Sequence, residues 1–144
     1  MKKFAVVLSS VLVFGLSSCS SINEIMKDPL KFLAGQSFNI ESLFGKGLNV
    51  ADFAGGIPNI NFGELGKISG FTGCNNFTGA ATGGDGGKLG LDLGALTKKA
   101  CPGNGEKQFI DAAKQVQGVK LEGEKIKLTG DSGSEVMSLV KKPV

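Results

Sequence analysis

GEKQFIDAAKQV, residues Gly105 to Val116, is the stretch of this 144-residue chain whose apolar spacing is clearly helical. Phe109, Ala112, Ala113 and Val116 fall three and four residues apart, which places them on one face of an α-helix. Asn104 stands where an N-cap belongs, Glu106 suits the first turn, and Gly118 suits the stop. On both sides the period falls to two. Upstream, Leu89, Leu91 and Leu93 alternate with Gly90 and Asp92 as a half-buried strand, entered through the hairpin turn Gly83-Gly84-Asp85-Gly86-Gly87. Gln36 to Phe44, Ile60 to Phe62, Lys67 to Thr72 and Asn76 to Ala81 are further strand candidates, and Lys46 to Gly56 reads as a loop or a single helical turn. Downstream, Val119 to Glu122, Lys125 to Thr129 and Glu135 to Lys141 form a meander with turns at Gly123 and Asp131-Ser132-Gly133. Strands, one main helix, then strands, without βαβ alternation, make an antiparallel α+β domain.

Composition narrows the chemistry. With 41% apolar and 20% charged residues, the chain has enough apolar surface to fold and a length suited to one domain. It contains no His, Trp, Tyr or Arg; all 16 basic residues are lysines. Without histidine there is no Ser-His-Asp or Cys-His nucleophile system and no histidine-ligated metal. The 23 glycines follow no collagen-like period and read as turns between short strands.

The N-terminus carries an address. Met1-Lys2-Lys3 is a basic n-region, and Phe4 to Leu16 is an apolar run too short to span a bilayer, which takes about 20 residues. Leu16-Ser17-Ser18-Cys19 resembles the bacterial lipobox. That resemblance implies removal of residues 1–18, thioether diacylglyceryl transfer to Cys19, and acylation (palmitate-type) of the new N-terminus. Several acyl chains give stable anchoring where one would be marginal. Ser20 in place of Asp resembles the signal for forwarding to the outer membrane, with the domain facing the periplasm or the cell surface. Residues 19–35 read as a lipidated tether with a possible short helix at Pro29 to Leu33. From Cys19 onward, 14 lysines face 13 acidic residues. The lysines cluster no further than pairs (Lys98-Lys99, Lys141-Lys142), so there is no nucleic-acid footprint.

If Cys19 carries lipid, Cys74 and Cys101 remain as an even pair in an oxidising compartment. A disulfide between them would stabilise the fold by about 3.5 kcal/mol in the chain-entropy model. The alternative is two buried free thiols.

The stretch Ile68-Ser69-Gly70-Phe71-Thr72-Gly73-Cys74-Asn75-Asn76-Phe77-Thr78-Gly79 resembles the signature of the META domain, the HslJ-like envelope proteins. Thr97-Lys98-Lys99-Ala100-Cys101-Pro102, followed by a helix with an early Phe109, is similar to the family's second motif. Leu121 to Leu128 and Val136 to Leu139 fit its last hairpin. The likeness covers about 36–142. It implies a small antiparallel barrel or cracked cone with one main packed helix, no enzymatic activity, and secreted or lipid-anchored members linked with heat shock, antibiotic tolerance and motility or virulence. The family often has Trp in its first strand, where this chain has Phe38. Within the motif, Gly70, Gly73 and Gly79 are expected to permit bends or bulges, and Asn75 and Asn76 to bond the backbone at a corner. Cys74 and Cys101 would then staple the helix's entry to the sheet.

Other candidate chemistries fall to simpler readings. A Cys74 or Cys101 nucleophile lacks a His partner. Gly83 to Lys88 departs from a phosphate loop at Thr82 and Leu89. Asp85, Asp92 and Asp131 match no calcium loop, and Glu122 and Glu124 flank a solvated turn. No catalytic residue, metal or cofactor is expected. The sequence therefore points to a non-enzymatic, membrane-anchored binding or scaffold module in envelope stress, whose partner is an envelope protein or a small apolar ligand. The alternative is a pilotin-like carrier holding an acyl chain or peptide in a cavity lined by Leu89, Leu91, Leu93, Ile126 and Leu128.

Overall fold

The computed structural model describes residues 18–143; the expected signal run and Leu16-Ser17 of the lipobox lie outside them. Nine antiparallel strands follow the order β2-β1-β3-β4-β5-β6-β7-β8-β9, with β1 pairing also to β9. They are β1 (Gln36–Leu43), β2 (Lys46–Gly47), β3 (Asn59–Phe62), β4 (Lys67–Phe71), β5 (Asn76–Gly84), β6 (Lys88–Leu96), β7 (Gly118–Glu122), β8 (Lys125–Thr129) and β9 (Glu135–Lys141). The β1–β9 pairing bends the sheet toward a barrel, but β6 and β7 touch at one residue pair, Lys88 opposite Gly118. The ring is therefore cracked along that seam.

Helix α3 (Gly105–Gln115) lies at the crack and buries Phe109, Ala112 and Ala113, the face its spacing predicts. The inward set of each strand follows the pleat: Phe38 and Ile40 on β1, Ile60 and Phe62 on β3, Leu89 and Leu93 on β6, and Ile126 and Leu128 on β8. These residues join one core cluster with Phe77, Phe109, Met137 and Leu139. Phe38, in the place of the family's Trp, is fully buried and meets Phe62 edge-on at 6.0 Å.

Two segments differ from the sequence reading. Residues 20–35 do not hang as a tether: α2 (Pro29–Leu33) is the short helix expected there, but α1 (Ser18–Lys27) precedes it, and the two bury Ile25, Pro29 and Leu33 against one end of the sheet. SCSSINEIMK has a single residue for the core, too weak a periodic signal to read as a helix. Lys46 to Gly56 contributes the two-residue β2 and then a series of turns that puts Phe53 into the core.

Candidate functional site

The family-type motif folds into the corner between β4 and β5. Gly73 there has φ +97°, and a Cβ would lie 2.5 Å from the Phe53 ring, so no side chain fits. Gly79 serves differently from the expected bend. It sits in register opposite Ile68, and a Cβ would lie 1.9 Å from the Asp92 carbonyl oxygen, so its role is close approach of β6. Gly70 does the same against the Asn59 carbonyl of β3, at 2.1 Å.

Asn75 is the buried centre of the corner. Its Oδ1 accepts from the Thr97 hydroxyl at 3.0 Å and the Lys99 N–H at 2.6 Å. Its Nδ2 donates to the Lys99 carbonyl at 3.0 Å and to both Glu106 carboxylate oxygens, at 3.0 and 2.9 Å. The amide orientation follows from chemistry: the carboxylate only accepts and the Lys99 N–H only donates. Thr72, also buried, donates its hydroxyl proton to Glu106 and accepts from the N–H groups of Cys74 at 3.2 Å and Asn75 at 2.9 Å. Thr97 further accepts from the Asn76 N–H at 3.0 Å. Asn76 thus joins through its backbone, and its side chain stays exposed, unlike the expectation for the pair.

Glu106 lies in the first turn of α3, where a negative charge is favoured by the helix dipole. Asn104 holds the N-cap position but makes no side-chain cap. Asp52 does that work from the loop after β2. Its backbone carbonyl accepts from Gly105 N–H at 3.0 Å, and its carboxylate accepts from Asn104 N–H at 3.3 Å and Gln108 Nε2 at 3.2 Å. The Cys74–Cys101 disulfide, with Cα atoms 5.8 Å apart, closes the same corner onto the approach to α3. Corner, helix start and loop are therefore one assembly.

The side-chain polar atoms of Asn75 and Thr72 are all bonded inside that assembly, which makes it a structural keystone. Among the described residues no group of three or more His, Cys, Asp or Glu could hold a metal ion. Beside the keystone an open groove of about 530 Å³ runs past Cys101, Glu106, Ile110 and Lys114, and the neighbouring loop exposes Val50 and Ile57.

The five residues expected to line an internal carrier cavity do not share one. Leu89, Leu93, Ile126 and Leu128 are buried in the common core and Leu91 packs against it. Leu91 and Leu93 border a surface groove of about 520 Å³ between β6 and α3, with Ile110 and Ala113. Glu122 and Glu124 are exposed at the β7–β8 turn, and Gly84 to Lys88 is a hairpin tip, as the sequence suggests. Thr72, Glu106 and Asp52 were the partners that sequence reasoning missed. A buried Thr two residues before Cys74 and a Glu at the helix start were the only signals.

A second polar cluster crosses β1, β8 and β9. Lys127 pairs with Glu135 at 2.7 Å, and Lys125 with Glu41 at 2.8 Å. Ser42 donates to Glu135 at 2.7 Å, and Ser138 to Glu41 at 3.2 Å. The Lys127 bond, with Ser42 behind it, holds the Glu135 carboxyl below the usual range; Glu135 in turn raises Lys127. Its members are all matched, so it reads as stitching across the β1–β9 closure.

Solved structures share this fold. A protein from Burkholderia xenovorans, determined by NMR, is 21% identical with TM-score 0.60, covering 80% of this chain and 87% of its own. A DUF4847 family protein from Bacteroides vulgatus ATCC 8482 is 13% identical with TM-score 0.58, covering 76% and 94%. A third, also an NMR structure, is 23% identical with TM-score 0.57, covering 77% and 92%. Among curated proteins none matches the sequence. The model of the META domain family matches residues 31–143, which takes in the whole sheet, the end of α2, α3 and the keystone corner. The chain belongs to the META domain family.

Proposed function

We propose that this chain is a lipid-anchored protein of the bacterial outer membrane in which the META domain serves as a non-catalytic binding or scaffold module during envelope stress. One observation carries the reading: the motif residues are spent on one another, so the corner's task is to hold a surface in place. That surface is the loop with Val50 and Ile57 and the groove beside Cys101. Anchoring rests on the lipobox-like Leu16 to Cys19.

The test has two arms. Metabolic labelling with an alkyne fatty acid should mark the wild type and not Cys19→Ser, and globomycin should block processing. A photo-crosslinker at Val50 should give a discrete adduct in the envelope that one at Ser69, exposed on the sheet, does not give. Absence of label removes the anchor, and identical crosslinking at both positions removes the binding surface.

The carrier reading keeps one point in its favour, the groove between β6 and α3 bordered by Leu91, Leu93 and Ile110. It would hold a ligand at the surface, because the interior is filled with the protein's own side chains.

A further inference from the structure

We propose that α1 lies flat on the bilayer, with Ile22 and Met26 in contact with lipid, so that the domain is seated on the membrane by one fixed end. This rests on the reading that Cys19 carries the anchor. Three observations lead to it.

First, α1 is part of the domain. Ile25 is fully buried, and the Met26 carbonyl accepts from the N–H groups of Gly86 at 2.9 Å and Gly87 at 3.1 Å at the β5–β6 hairpin tip. The Asp28 N–H continues the helix to the Glu24 carbonyl at 3.0 Å, and the Asp28 side chain caps α2 through the Lys31 N–H at 3.0 Å. Cys19 therefore stands six residues before a core residue, about 9 Å along a helix axis. A flexible tether from 19 to 35 would instead wander over roughly 20 Å.

Second, the helix has a half-exposed apolar flank. Ile22 is 46% exposed and Met26 39% exposed, on the flank beside buried Ile25, with the Met26 sulfur against Gly87 of the hairpin tip. Position 19 precedes them by three and seven residues, the spacing that puts all three on one face. An anchor at that register would bring Ile22 and Met26 to the interface, as in an interfacial helix.

Third, on the anchor reading Cys19 becomes the first residue of the mature chain, so the lipid enters the domain at the start of α1. Leu65, 96% exposed, follows β3 beside α2 on the same end, whereas Phe44, Val50 and Ile57 lie beyond β1, which carries the chain about 26 Å from α2 to the far end of the sheet. Seating on α1 turns that far end, with its groove, away from the bilayer.

The chain has no Trp, so single-Trp variants report position directly. Full-length, lipidated Ile22→Trp, Met26→Trp and Val50→Trp would be reconstituted in phosphatidylethanolamine/phosphatidylglycerol vesicles containing brominated acyl chains. Quenching of at least about twofold is expected at 22 and 26, with none at 50. Two variants on the face guard against a misfolded one. Protein that floats with the vesicles and carries the lipid mass, yet is equally unquenched at 22, 26 and 50, overturns the seating and leaves the anchor standing. Protein that neither floats nor carries lipid overturns the anchor itself and the seating with it.

Discussion

Asn75 uses both ends of its side-chain amide, bonding Thr97 and Lys99 after β6 and Glu106 in the first turn of α3. Replacing it with Ala leaves the Lys99 N–H and carbonyl, the Thr97 hydroxyl and part of Glu106 without their partner in a part-buried site. Water can reach Thr97 and Lys99 in part, so Asn75→Ala is expected to lose about 1–3 kcal/mol in urea unfolding. Asn75→Asp would set a carboxylate against Glu106. Its deficit should be larger at neutral pH and shrink as the pH falls and one carboxyl takes a proton. A deficit independent of pH would contradict the placement of Glu106. Gly73→Ala should destabilise strongly, because a positive φ and the Phe53 ring both oppose a Cβ. Gly123→Ala, positive in φ but open around it, should cost only about 1 kcal/mol in the same measurement.

At the scale of elements, α3 is fastened by its first turn. The disulfide, Asp52 and the Asn75–Glu106 bonds all act within residues 101–108. Cys74→Ser/Cys101→Ser is expected to unfold at clearly lower temperature, by an amount corresponding to about 3.5 kcal/mol. An unchanged melting curve under non-reducing conditions would remove the staple. Across β8 and β9, the lowered Glu135 pKa adds stability that is present above the ordinary carboxylate range and lost as pH falls through the lowered value. Lys127, raised by the same pair, adds stability present below the ordinary lysine range and lost as pH rises through its raised value. Glu135→Gln should therefore flatten the acid limb of the melting temperature against pH, by about 1 kcal/mol, and lower stability at neutral pH. Much of this level was legible in the sequence. The Leu89-Leu91-Leu93 alternation, the Gly-rich hairpin and the α3 face each depend on neighbours within a few residues. The Asp52 cap and the burial of Phe53 depend on a partner some fifty residues away, and nothing local in a Gly- and Ala-rich loop signals it.

For the whole molecule, the sheet separates two ends. One is covered by α1 and α2 and leads to the N-terminal anchor; the other carries the keystone corner, the loop with Val50 and Ile57, and the groove. Cysteine count alone left disulfide and free thiols open, and the fold decides it by bringing Cys74 and Cys101 together. The seam is the structural weak line, because β6 and β7 share one pair while β1 and β9 share a long register. Asn75 and its partners, with the disulfide and Asp52, fasten the start of α3, whose apolar face packs on the core, to the corner. Hydrogen exchange on Asn75→Ala tests this most directly. Protection should fall together across α3 (105–115) and the loop 49–56 while the amides of β1, β3, β4 and β9 keep theirs. Full protection of α3 in that variant, with loss confined to residues 72–76, would contradict the account.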